Sequence, residues 1–467
     1  MGIFLLVLVV FLCVLYFWTR APRPGAAVTT VKELAEIRRL LAANTRSAGL
    51  AAALTARAIP NQRLVVAFGI DNSFTTVCPA RYKEFNHHVQ PLLNRNRDSR
   101  DWLCIGLFSR SLVLSAAPPR LSSLHLAPFL RGYVLTTIIQ LFFPKALATA
   151  SASTPATAAA AAAATASSAV TDANGSEYGH ASSTDATGLM IMRLADLIHE
   201  MWVQSKNGPP SATSRQQLAA TVDALFPWLD SNPLDLLLPA YETLWRVVLR
   251  CFLEVQFRGD DCWRQVLLRF LGAPTFPNFS NPYGYGTEGG EGGGEGVGGE
   301  GGGGEEGSGE GGVAKGGGRE GGEGGEGAEE AVAVEWIVKE TLRLYPPTKR
   351  IYRATSATES LAADVEALHC CAELWGADAD RFRPGRWADI ANEAEAELGF
   401  MPFGEGTFVC PAKRVFAPRL IAILVAALLD SVPAHAVWTA EREQDRVAAA
   451  GRLGNGRGDF ASLVLRW

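Results

Sequence analysis

The residues with the clearest chemical potential lie in Phe400-Met401-Pro402-Phe403-Gly404-Glu405-Gly406-Thr407-Phe408-Val409-Cys410-Pro411-Ala412-Lys413, a glycine-punctuated loop ending at one cysteine. Gly404 and Gly406 permit backbone paths that side chains forbid. The apolar run from Arg414 to Leu429 reads as a helix, so its first N–H groups and its dipole would stabilise a thiolate at Cys410. Such a thiolate can ligate a metal or attack as a nucleophile; a buried cysteine that only packs explains the loop equally well. Upstream, Glu340-Thr341-Leu342-Arg343 puts an acid and a guanidinium on one helix face, a spacing common in surface ion pairs. Further upstream, the acid–alcohol pair Glu242-Thr243 follows Pro239 inside a helix-forming run. Proline removes an N–H there and leaves the Asp235 carbonyl without its usual partner, so a kink is expected before the pair. Taken alone, a tolerated proline and a solvent-facing Glu242 account for that stretch.

The order Glu340-x-x-Arg343, then Phe382-Arg383-Pro384-Gly385-Arg386-Trp387, then Phe403-x-x-Gly406-x-x-x-Cys410-x-Ala412 resembles the C-terminal half of the cytochromes P-450, in their membrane-anchored eukaryotic, fungal-like type. The resemblance is strong from Asn232 to the end and weak before Ala146. It implies a mostly α (α+β) fold with small β-sheets and haem b between two long helices. It also implies Cys410 as the axial thiolate ligand of the haem iron, with Phe403 and Gly406 in the haem-binding loop. Arg350 would pair with a haem propionate, with Arg353 as the weaker choice. Glu340, Arg343 and Arg386 would form a buried network, which is costly unless every member is paired. Pro239-Ala240-Tyr241-Glu242-Thr243 matches the family's oxygen-activation segment, with Ala240 where Gly is usual, so Glu242 and Thr243 would manage proton delivery.

The implied reaction inserts one oxygen atom from dioxygen into a small apolar organic substrate, with electrons from NADPH through a cytochrome P-450 reductase. The rivals are a haem-thiolate isomerase or dehydratase that needs no dioxygen, and a catalytically degenerate membrane haem protein. Several positions depart from the pattern. Phe408 stands where many members carry Arg or His for a propionate, Ala412 replaces a common Gly, and Gly385 a common Glu. The usual Trp-x-x-x-Arg of the helix over the haem is not found.

Elements must hold these residues in place. Helices are expected over Val31–Leu41, a polar Arg81–Asn94, Trp102–Ser115, Leu130–Phe143, Met190–Gln204, Trp263–Leu271 and Val332–Leu344, the last stopped by Tyr345-Pro346-Pro347. Asn232 reads as the N-cap of a helix running to about Phe257. Arg63–Ile70 reads as a short strand. The adjacent His87-His88 would point apart on a helix and form no metal site.

Residues 1–20 read as an N-terminal transmembrane anchor: Gly2 to Trp18 is nearly unbroken apolar, with aromatics and Arg20 at its end. The alternative is a secretory signal peptide, but no basic n-region or small-x-small site precedes the aromatics. Residues 21–30 form a Pro/Gly hinge and 31–467 the haem domain. Two disordered insertions interrupt that domain: an Ala/Ser/Thr-rich block at 146–188 and a Gly/Glu-rich block at 283–330. Without the anchor and insertions about 360 residues remain, short for this fold, with the thin part between Trp102 and Asn232.

The chain of 467 residues carries a formal net charge of −5. Twelve Glu against Lys315 and Arg319 between Tyr283 and Glu330 account for −10, so the rest is +5. That suits membrane lipid or an acidic partner and excludes a nucleic-acid binder. None of the eight cysteines is spaced CxxC, which excludes zinc ligation and a disulfide framework and fits a reducing compartment. The anchor and the family resemblance together imply the endoplasmic reticulum, with a cytosolic catalytic domain.

Overall fold

The computed structural model describes residues 27–46, 49–94, 99–116, 123–148, 186–282, 331–448 and 450–467. The expected anchor, hinge residues 21–26 and most of both insertions lie outside them. The edges of the first insertion are helical: Lys145–Ala148 forms one turn, and residues 186–188 open a long helix. Residues 27–30 of the expected hinge belong to a strand.

Helices dominate. In chain order they are α1 (Leu34–Arg46), α2 (Gly49–Phe68), α3 (Pro79–Asn94), α4 (Ser99–Ala116), α5 (Leu126–Phe142), α6 (Ala186–Gln204), α7 (Ala212–Leu225), α8 (Leu234–Tyr241), α9 (Leu244–Phe257), α10 (Asp261–Gly272), α11 (Val334–Leu344) and α12 (Phe416–Ser431), apart from helices of one or two turns. Every residue from Leu420 to Leu429 in α12 is buried, the mark of a helix that is hydrophobic all round and enclosed by others. It packs against α4, α9, α10 and α11. The Tyr133 hydroxyl of α5 donates to the Leu424 carbonyl at 3.2 Å, tying a second core helix to α12.

Two three-stranded sheets complete the fold. In the first, β1 (Ala27–Val31) runs parallel to β4 (Glu359–Asp364), which pairs antiparallel with β3 (Arg350–Ala354). In the second, β6 (Leu463–Arg466) lies between β2 (Ser123–His125) and β5 (Val437–Ala440). Successive strand residues face opposite sides, so Arg350 and Arg353 cannot share a face.

The expected strand over Arg63–Ile70 is not formed: α2 runs through it as far as Phe68. Leu64-Val65-Val66 has strand propensity, but an alanine-rich helix already extends into it. Buried Leu64, Ala67 and Phe68 then fall at i, i+3 and i+4, on one helical face. Packing overrides local preference here.

The helix is interrupted where the kink is expected. α8 ends at Tyr241 and α9 starts at Leu244, with Glu242 and Thr243 between them. The Asp235 carbonyl, deprived of its helical donor by Pro239, accepts from Asn72 Nδ2 at 3.1 Å. The Asp235 carboxylate accepts from the Asp71 N–H at 2.7 Å. Asn232 Oδ1 accepts from the Leu234 N–H at 3.0 Å, so the expected capping side chain is engaged. The loop after α2 thus splints the broken helix.

Asn72→Ala should cost about 1 kcal/mol in urea unfolding, because a part-buried carbonyl loses its donor. In a Pro239→Ala background residue 239 can supply an N–H, and the cost should shrink. Strictly additive effects of the two substitutions would refute the splint.

Candidate functional site

The cysteine loop is built from its glycines. Gly404 and Gly406 both adopt φ +73°, the left-handed region, and a Cβ on Gly406 would sit 3.3 Å from the Leu41 carbonyl oxygen. The loop closes on itself: the Cys410 N–H donates to the Phe403 carbonyl at 2.9 Å. Phe403 packs against the main core. Cys410 is half-buried and forms no disulfide. Burial pushes its thiol up, while an N–H from Ala412 and the charge of Arg57 pull it down. The helix that was expected to begin beside Cys410 begins at Phe416, after a turn containing Pro411. Burial outweighs the Ala412 N–H and Arg57, so the thiol stays above its ordinary value.

Beneath the loop lies the expected charge network. Glu340 and Arg343 are fully buried, paired at 2.8 Å between Arg343 Nη2 and Glu340 Oε1. Arg386 Nε donates to the same oxygen at 2.9 Å, as does the Arg383 N–H. Trp387 Nε1 donates to Oε2 at 3.0 Å. Arg343 spends its other donors on the carbonyls of His369, Ala379 and Arg381.

His369 carries the network to the cysteine loop, a role with no sequence signal. Its Nε2 accepts from the Met401 N–H at 3.0 Å, so Nδ1 carries the proton and donates to the Arg343 carbonyl at 3.1 Å. Burial first, and then the Arg343 charge, hold its pKa at about 3.

Glu242 is buried rather than solvent-facing, and its carboxylate is ion-paired with Arg457. The Arg457 guanidinium stacks 4.7 Å over the Trp202 ring. Thr243 Oγ1 reaches the Pro239 carbonyl at 3.5 Å, the long limit of a hydrogen bond. Among the described residues no hydrogen bond or ion pair joins this break to the Cys410 loop.

Arg350 and Arg353 part company as the strand geometry requires. Arg350 is half exposed and paired with Asp364 at 3.2 Å. Arg353 is 5% exposed, with its guanidinium 5.3 Å from the Phe408 ring centre. On the other approach to Phe408, Arg57 of α2 lies 4.6 Å from the ring centre and 4.3 Å from that of Phe74. Burial, then repulsion from Arg353, pulls Arg57 down to about 9. The helix that comes over the loop is α3: Tyr82 donates to the Thr407 carbonyl at 3.1 Å and meets Phe408 edge-on. Arg57, Tyr82 and Arg457 carry no motif, so the sequence alone did not single them out.

No family model matches the chain. A crystal structure of a six-coordinated cytochrome P-450 from Thermus thermophilus superposes with a TM-score of 0.50 at 16% identity, covering 97% of each chain. The chain folds as a cytochrome P-450. In sequence it is similar to cytochrome P-450 714C3 of Oryza sativa subsp. japonica, at 33% identity over 108 residues, 20% of this chain and 21% of that one. It is also similar to cytochrome P-450 734A6 of the same species, at 37% over 112 residues, 21% and 20% of the two chains. The match thus spans about a fifth of these P-450 relatives.

The His369 link gives a pH signature. The ring is neutral in the folded protein but takes a proton below about 6.5 in the unfolded chain. The unfolded state then binds the extra proton, so stability falls as pH drops from about 6.5 towards 3. Between pH 7 and pH 5 this loss is about 2 kcal/mol. Urea unfolding at both values should show a shallower acid loss in His369→Gln. His199, also held at about 3, and Glu254, raised to about 7, titrate in both proteins and cancel in the comparison. Equal acid losses would overturn the assignment.

Proposed function

We propose that the protein is a haem-thiolate monooxygenase that inserts one oxygen atom from dioxygen into an apolar organic substrate, drawing electrons from NADPH through a reductase. The observation that carries this reading is Cys410, at the end of a left-handed glycine loop in a P-450 fold, with the Ala412 N–H and Arg57 beside its sulfur. The surrounding donors fit haem. They combine one thiol, an apolar Phe403, and buried positive charge that no carboxylate among the described residues meets. When bound, thiolate-ligated haem supplies the oxygen activation.

This chain's residues do the rest. Cys410 Sγ would hold the iron, and Gly404 and Gly406 let the loop turn close beneath it. The Glu340, Arg343 and Arg386 network fixes the loop from below through His369. Glu242 and Thr243 sit in a helix break where backbone pairing is interrupted, which supports proton handling at Glu242 Oε and Thr243 Oγ1. Arg457 would keep the Glu242 carboxylate oriented.

The reading extends to location. Among the described residues no helix is long and apolar enough to cross a membrane. The proposed anchor rests on the Gly2–Trp18 run, and with it an endoplasmic-reticulum address and a cytosolic catalytic domain. The net charge of +5 outside the Gly/Glu block suits anionic lipid and an acidic reductase surface.

The purified protein, reduced under carbon monoxide, should give the absorption band of thiolate-ligated haem, and Cys410→Ser should abolish it. A band that survives Cys410→Ser would show that the ligand lies elsewhere. Thr243→Ala should lower NADPH-driven product formation by about a hundredfold. Undiminished turnover without NADPH would instead favour the isomerase or dehydratase.

A further inference from the structure

The Phe408 position leaves a question of charge. Arg57 and Arg353 are 7% and 5% exposed and approach the same aromatic ring. Arg353 Nη1 donates to the Tyr352 carbonyl at 2.9 Å. Among the described residues neither guanidinium has a carboxylate within ion-pair distance, whereas nearby Arg350 and Arg343 do. Two like charges held together out of water are costly unless an anion joins them. An arginine stacked on aromatic faces keeps its N–H edge free, and that edge matches a carboxylate bidentately.

We infer that Arg57 fills the carboxylate-binding role that Phe408 cannot, so that Arg57 and Arg353 together hold the haem propionates while the Phe408 ring keeps the two cations in place. The inference rests on the haem-thiolate reading above. It makes α2, from the part of the chain least like the family, a contributor to cofactor retention. Phe408 becomes an aromatic platform that orients two arginines instead of a lost contact. A counter-ion role of this kind has an unusual sign. Arg57 should burden the haem-free protein, where its charge is unpaired, and support the haem-bound one. An arginine that only packs would support both.

Haem transfer from the purified protein to apomyoglobin should be about ten to a hundred times faster in Arg57→Met, the loss expected for one charge-assisted contact. The thermal midpoint of the haem-free variant should not fall below that of the wild type. Arg57→Lys, which keeps the charge without the planar fork, should transfer haem at an intermediate rate, and it carries the measurement if Arg57→Met fails to accumulate. Reconstitution with protohaem and with its dimethyl ester isolates the carboxylates. The wild type should prefer the free acid, and Arg57→Met should lose about tenfold of that preference.

Wild-type transfer rates in both variants would overturn the inference. So would an undiminished preference for the free acid, which would mean that Arg57 serves the Cys410 sulfur alone. A wild type that takes up no haem would overturn the parent reading instead, and the carbon-monoxide band distinguishes that failure from the others.

Discussion

One buried carboxylate holds the lower half of the molecule together. Glu340 accepts five hydrogen bonds, two from Arg343 and one each from Arg383, Arg386 and Trp387. Removing one partner of such a cluster leaves charge uncompensated in the interior, at about 3–5 kcal/mol. More follows from it than stability. Through it α11 is fixed to the segment before the cysteine loop, and Arg343 then reaches three carbonyls that shape the intervening turns. His369 carries the chain of bonds on to Met401, nine residues before Cys410. The position of the sulfur is therefore inherited from an acid on another helix.

The upper side of the loop is held by weaker and more varied forces. There, Arg57, Tyr82 and Arg353 converge on Phe408 and Thr407 through aromatic faces and one hydroxyl. No carboxylate balances the two arginines among the described residues. A rigid, fully satisfied base thus meets a roof with surplus positive charge. The contrast suits a cofactor whose metal must be held in one geometry while its anionic edge is gripped by adaptable side chains.

What could be read from the sequence depended on whether a residue's partners lay nearby in the chain. Glu340 and Arg343 share a helix turn, and Arg386 sits in a motif with its own spacing, so their network was legible. Pro239 announced the break at Glu242-Thr243 because a missing N–H has a local consequence. Long apolar helices showed in their periodicity. Arg63–Ile70 was misread because its residues favour a strand and only the packing of Leu64, Ala67 and Phe68 decides for a helix. The difference in burial between Arg350 and Arg353 needed the facing of β3, which depends on a partner strand. Arg57 and Arg457 meet Phe408 and Glu242 across hundreds of residues, and no local pattern marks such a meeting.

The sheet that presents Arg353 also joins segments far apart along the chain. Its parallel pairing sets Ala27 opposite Glu359 and Val31 opposite Ala363. Contacts so distant along a chain close late, because a long loop must be restrained before they return anything. On a ribosome β1 emerges first and waits through most of synthesis for β4. Until β3 is made, α2 lacks the strand against which it packs in the folded protein. Two buried like charges therefore need never be forced together early.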